Sequence, residues 1–123
     1  YIAQANREIF VVAQIEDVEA LDTLDDIAAT PGIDILFLGA QDLSQSMGIP
    51  CQFDHPRIVQ ARKRVAEAAR KYNKWWGCPA GVEKAEILYK EEGAQFFAGC
   101  AAIWFVLDGL KQVRAEFTKR LGD

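Results

Sequence analysis

Four short runs of β-branched and aromatic residues, each followed by a stretch with helical periodicity, most constrain what this chain can fold into. The first run, IFVVAQI at residues 9–15, is apolar on both alternations and too short for a buried helix, which predicts a strand covered on both faces. From Asp17 the period changes: Leu21, Leu24, Ile27 and Ala28 recur at helical spacing, and the TPG of residues 30–32 supplies a stop. IDILFLG, residues 33–39, reads as a second strand and is followed by a polar loop. Asp54 or His55 then caps a long helix with Pro56 in its first turn and Ile58, Ala61, Val65, Ala68 and Tyr72 along one face. WWGCPA, residues 75–80, is a third strand, and Val82, Ala85, Leu88 and Tyr89 mark a helix that Gly93 closes. AQFFAGCA, residues 94–101, is a fourth strand, and Val106, Leu110, Val113, Phe117 and Leu121 line a last helix.

This βαβαβαβα pattern implies a parallel α/β sheet with right-handed crossovers, because consecutive parallel strands need a helix to carry the chain back. It fits an open sheet with helices on both faces, or half of a TIM (β/α)8 barrel, whose helices all lie outside. In both, ligands sit beyond the carboxyl ends of the strands. Glu16 ends the first strand and Asp42 follows the second by a few residues. Neighbouring strands lie about 4.8 Å apart, so the two carboxylates can converge on one hard cation, Mg²⁺ or Mn²⁺, that fills its other positions with water and substrate oxygens. Gln14 is polar inside an otherwise apolar strand at the same place. Structural roles compete for these residues. Asp42 or Ser44 could cap the LSQSMG turn, and Glu16 or Asp17 could sit in the first turn of the following helix.

Composition narrows the function classes. The chain has 123 residues, half of them hydrophobic, and a net charge of -4, from which we expect one domain over residues 1–123. The basic residues of RIVQARKRVAEAARKYNK alternate with apolar ones at helical spacing, so they are expected on the wet face of a helix, and no nucleic-acid partner is expected. No membrane association is expected either: no stretch approaches a bilayer-spanning length, and the N-terminus lacks a secretion layout. Cys51, Cys78 and Cys100 are odd in number without a CxxC pair, which predicts reduced, mostly buried thiols and a cytoplasmic setting. Cys78, Cys100 and the Trp75–Trp76 pair are expected as core and packing residues. His55, before Pro56, is expected to cap or pack and not to act as a base. A start at Tyr1 and a single Met, Met47, suggest part of a longer polypeptide.

The segment AQIEDVEALDTLDDIAATPGIDILFLGAQDLSQSMGIP, followed by DHP, resembles the HpcH/HpaI aldolase family of metal-dependent pyruvate aldolases in the phosphoenolpyruvate/pyruvate barrel superfamily. The family pattern is a strand ending in Gln-x-Glu, an acid-rich helix, PGID, an apolar strand, then Gly-Pro-x-Asp-Leu-Ser and a Gly-containing loop. The resemblance implies that the chain forms the last four units of a barrel, that Glu16 and Asp42 are the metal ligands, and that Gln14 lies beside them. It further implies that the backbone at Gly39, Ala40 and Gln41 holds the carboxylate of a small 2-keto acid. A 2-keto acid chelating the metal would be cleaved through an enolate that the cation stabilises, without a Schiff-base lysine. Ala40 departs from the family's usual Pro, Gln41 puts a long polar side chain before the ligand Asp, and AGCAAIW lacks the hydroxyl and acidic residues often found there.

The activity so implied is cleavage of a 4-hydroxy-2-oxo acid or 2-keto-3-deoxy sugar acid to pyruvate and an aldehyde. The alternatives are oxaloacetate decarboxylation on the same site, or a non-catalytic truncated barrel acting as an assembly module. In the family pattern the Arg that binds the substrate carboxylate and the His that moves the proton belong to upstream strands. A half-barrel also exposes sheet edges, so the expected partner is a complementing N-terminal half-barrel or a further copy in a homo-oligomer.

Overall fold

The computed structural model describes residues 2–122; Tyr1 and Asp123, the ends of the expected domain, lie outside the described residues. The chain runs α1 (Ile2–Glu8), β1 (Val12–Ile15), α2 (Val18–Asp22), α3 (Leu24–Ala29), β2 (Ile35–Leu38), α4 (Ala40–Ser46), α5 (Pro56–Lys71), β3 (Trp75–Pro79), α6 (Val82–Glu92), β4 (Phe96–Ala98) and α7 (Ala102–Leu121). The strands form one parallel sheet in the order β1-β2-β3-β4, with Val12 opposite Ile35, Ile35 opposite Trp75, and Gly77 opposite Phe96.

Strand order and side-chain alternation separate the two architectures left open by the sequence. A doubly wound sheet reverses its strand order at a switch point, whereas here each strand pairs with the next in sequence. Ile15, Leu36, Leu38, Trp76 and Cys78 join the main core with Leu21, Leu24, Ala28, Leu43, Ile58, Ala61, Val65 and Leu88 of the helices. The alternate positions, Ile35 and Phe37, are buried outside that core. On their face Phe96 of β4 packs edge-on against Phe37 at 5.8 Å and against Phe10, just before β1, at 6.0 Å. A flat sheet would hold its outer strands about 14 Å apart, so this aromatic cluster spans the concave side of a curved sheet. The helix-bearing face is the outside of a barrel wall, and the chain forms half of such a barrel.

The central helix follows from its sequence. His55 caps α5, its Nδ1 accepting from the N–H of Arg57 at 3.2 Å, and Pro56 occupies the first turn. Alanines at 61, 66, 68 and 69 let the helix sit close on β2 and β3. At its end Asn73 takes a left-handed φ of 54°, and Lys74 N–H returns to the carbonyl of Ala69 at 2.8 Å, closing the helix in the Schellman manner. Gly93, with φ 71°, ends α6 as predicted.

Several expectations need correction. The first strand begins at Val12, not Ile9, because β1 finds a pairing partner in β2 only from there; Ile9 and Phe10 are exposed. The helix expected from Asp17 breaks at Thr23, whose hydroxyl donates to the carbonyl of Glu19 at 3.1 Å and bends the chain. The fourth strand is limited to Phe96–Ala98, and Gly99 and Cys100 leave the sheet. Cys78 is buried, but Cys51 and Cys100 are exposed, and all three are free. Trp76 fills the core while Trp75 is exposed. The last helix forms, yet no residue of α7 is buried, and Val106, Leu110, Val113, Phe117 and Leu121 face solvent. Arg62, expected on a wet face, is part-buried and grips Glu92, while Arg64 is exposed as expected and donates to the carbonyl of Leu21 at 2.6 Å.

Candidate active site

Glu16 follows directly on β1, between Ile15 and Asp17, and the next helix owes it nothing: Asp17 is the N-cap of α2, accepting from the N–H of Ala20 at 2.8 Å. The Glu16 carboxylate is therefore free of the capping role that competed for it. It accepts instead from Nε2 of Gln14 at 2.6 Å. Gln14 and Glu16 share the concave side of β1, because residues two apart on a strand share a face.

The second segment arrives alongside. The register places Ile15 opposite Leu38, and the N–H of Gly39 donates to the carbonyl of Ile15 at 2.9 Å, so Gly39 lies next to Glu16. The fit is close: a Cβ at position 39 would stand 2.9 Å from Cβ and Oε2 of Glu16 and 3.0 Å from Nε2 of Gln14. With φ −84° any residue could adopt this backbone, and it is the space that demands glycine. Gly39 is also the N-cap of α4, so Ala40, Gln41 and Asp42 form that helix's first turn. Asp42 is exposed and does not cap the helix.

Two serines pin α4 in place. Ser44, fully buried, donates to the carbonyl of Gln41 at 2.7 Å and accepts from the N–H of Cys51 at 3.0 Å. It thus sits within α4 and is not the cap that the sequence allowed. Ser46 accepts from the N–H of Val18 at 3.1 Å, tying the end of α4 to the start of α2 and hence the two strand ends to each other. Sequence reading missed Ser46 altogether; a hydroxyl reaching a helix start 28 residues away leaves no local signature.

Among the described residues neither Glu16 nor Asp42 is ion-paired with a Lys or Arg. Among the described residues no group of three or more His, Cys, Asp or Glu gathers that could enclose a metal by itself. The donors at this rim are hard oxygens. That donor set suits a hydrated Mg²⁺ or Mn²⁺ held by one or two carboxylates.

Residues 2–100 match the model of the HpcH/HpaI aldolase/citrate lyase family. The chain belongs to this family. Its relatives include a 5-keto-4-deoxy-D-glucarate aldolase of Salmonella arizonae, 34% identical over 97% of this chain and 46% of that protein. Another, of the same name from Enterobacter, is 37% identical over 80% of this chain and 38% of its own length. Similar solved structures include the citrate synthase SbnG, with TM-score 0.85 and 28% identity over 98% of this chain and 49% of that one. An HpcH/HpaI aldolase/citrate lyase family protein from Burkholderia cenocepacia superposes with TM-score 0.81 and 33% identity over 94% of this chain and 45% of that one. The chain spans less than half the length of these relatives. Its four β/α units correspond to the C-terminal half of a TIM-barrel aldolase fold. No helix among the described residues is long and apolar enough to cross a membrane.

Proposed function

We propose that this chain carries the metal and 2-oxo acid end of a lyase that splits a 4-hydroxy-2-oxo acid, or a 2-keto-3-deoxy sugar acid, into pyruvate and an aldehyde. The observation that carries this reading is the contact between Gly39 and the Gln14–Glu16 pair, which sets the strand end bearing Glu16 beside the turn bearing Asp42. The 5-keto-4-deoxy-D-glucarate aldolase names of the relatives support the substrate class.

In this reading Glu16 and Asp42 hold Mg²⁺ or Mn²⁺, which when bound stabilises negative charge developing on the keto oxygen as the C3–C4 bond breaks. Gln14 fixes the Glu16 carboxylate, leaving its other oxygen for the ion. The expectation that Gly39 itself receives the substrate carboxylate is modified by its bond to Ile15, which occupies its N–H. The N–H groups of Ala40 and Gln41, in the first turn of α4, take that role. His55 stays outside the chemistry, because its Nδ1 is engaged in capping α5.

A general base and a carboxylate-binding Arg come in this reading from a complementing N-terminal half-barrel or a further copy, placed over the concave face where Phe10 and Trp75 are exposed. The chain would act as one domain in the cytoplasm, in keeping with its three free thiols. The test is pyruvate release from a 4-hydroxy-2-oxo acid with Mn²⁺, measured for the chain alone and with the upstream half of a relative's barrel added. Release that requires the added half and is abolished by Glu16→Ala supports the proposal. Mn²⁺ binding without turnover in either preparation favours the non-catalytic assembly module, and pyruvate formed only from oxaloacetate favours the decarboxylase.

A further inference from the structure

The helix-bearing side of the wall holds a cavity that shares only the Ala40–Gln41 turn with the proposed chemistry. This cavity of about 300 Å³ opens between α4, α5 and α6, on the opposite face of β2 and β3 from the candidate active site. Leu38, Ile58, Phe53 and Cys78 line it, so its wall is largely apolar, and Arg62 and Lys84 place two cations against it. We propose that this cavity binds a small monocarboxylate with an apolar or aromatic body, its carboxylate received by Lys84 and Arg62.

The charge balance specifies a single negative charge. Arg62 gives Nε and Nη2 to the Glu92 carboxylate at 2.9 and 2.7 Å, with both side chains mostly buried, so that pair is neutral as a unit. Its Nη1 makes no hydrogen bond among the described residues and keeps its donors for a ligand. Lys84 has a side chain 44% exposed and, among the described residues, is ion-paired only with Asp54, at 3.8 Å, whose side chain is 98% exposed. Such a pair is loose and exchangeable, and a carboxylate entering the cavity competes for the ammonium from a drier position. A phosphate would add a second charge with no cation to meet it and would leave the apolar wall wet. The body of a benzoate-sized acid covers that wall, with Phe53 at 41% exposure placed to pack against it. The wall also includes Ala40 and Gln41, so an occupant would brace the first turn of α4 from behind.

The test uses the full chain without metal or pyruvate, so its failure leaves the aldolase reading untouched. Fluorine NMR titration with para-fluorobenzoate should show saturable binding, with para-fluorobenzamide, the neutral counterpart, binding more weakly. Lys84→Glu, at an exposed site, should keep the thermal melting midpoint and lose about five- to tenfold in affinity, while Lys84→Arg retains it. No saturable binding below about 10 mM, equal binding of acid and amide, or affinity unchanged in Lys84→Glu overturns the proposal.

Discussion

Replacing Gly39 with Ala tests the geometry at the two strand ends. The new methyl would lie 2.9 Å from Glu16 Cβ and Oε2 and 3.0 Å from Gln14 Nε2. Carbon atoms pack at about 3.5–4.0 Å, so the shortfall against Glu16 Cβ is roughly 0.6–1.1 Å. Rotation about the Glu16 side chain moves Oε2 but not Cβ, which is fixed to β1. Either the β1–β2 pairing spreads or Gly39 moves away, and in both cases the 2.6 Å Gln14–Glu16 hydrogen bond is disturbed. Overpacking of this kind costs about 1–3 kcal/mol, and a ligand group misplaced by about 1 Å loses up to ~100-fold in function. Urea unfolding should therefore show a loss of about 1–2 kcal/mol, and Mn²⁺ affinity, read from the EPR signal of the free ion, should fall about tenfold or more. Gly109→Ala is the control, because that glycine lies in α7 with nothing near its added methyl. A Gly39→Ala protein that binds Mn²⁺ like the parent, or a Gly109→Ala protein that loses as much, refutes the reasoning.

Other positions give independent checks. Glu92→Ala leaves the part-buried Arg62 guanidinium without its carboxylate and should destabilise the fold by about 2–3 kcal/mol in urea; a loss below about 0.5 kcal/mol would show the pair to be incidental. Gly77→Ala would bring a Cβ within 1.6 Å of the Phe96 carbonyl oxygen, a backbone atom, so β4 must part from β3; hydrogen exchange at residues 96–98 should accelerate strongly, and unchanged protection contradicts the register. Burial pushes the Cys78 thiol up from its ordinary 9.0, partly offset by Lys84 and Arg62. The unfolded chain therefore loses this proton first, and the Cys78 contribution to stability is present below pH 9.0 and declines as pH rises past it. Stability measured upward from about pH 8 should fall less steeply in Cys78→Ala than in the parent, and identical slopes contradict the assignment.

The strands and long helices were legible because their signals are local. Residues 33–39 and 75–80 are near-continuous apolar runs, and α5 carries its cap, its Pro56 and its alanine stripe within its own sequence. Two short helices escaped. α4 reads as a polar loop in the sequence because Gly39 caps it without a side-chain bond and only Leu43 and Ser44 are buried, too few to set a period. α1 offered no periodic apolar face to read. The candidate site divides in the same way. Glu16, Asp42 and Gln14 stand out as polar residues at the ends of apolar runs, and the close approach at Gly39 depends on strand register. Periodicity puts Arg62 on a wet face, because its partner Glu92 lies 30 residues away on another helix, a pairing no local pattern reveals. The exposure of α7 was equally invisible, since its apolar spacing is that of a packed helix.

The most direct test is anomalous diffraction from crystals of this chain soaked in Mn²⁺. The account predicts one strong peak at the rim of the sheet in direct contact with carboxylate oxygens of Glu16 and Asp42, with water in the remaining positions. Manganese bound elsewhere, or touching only one of the two carboxylates, would contradict it.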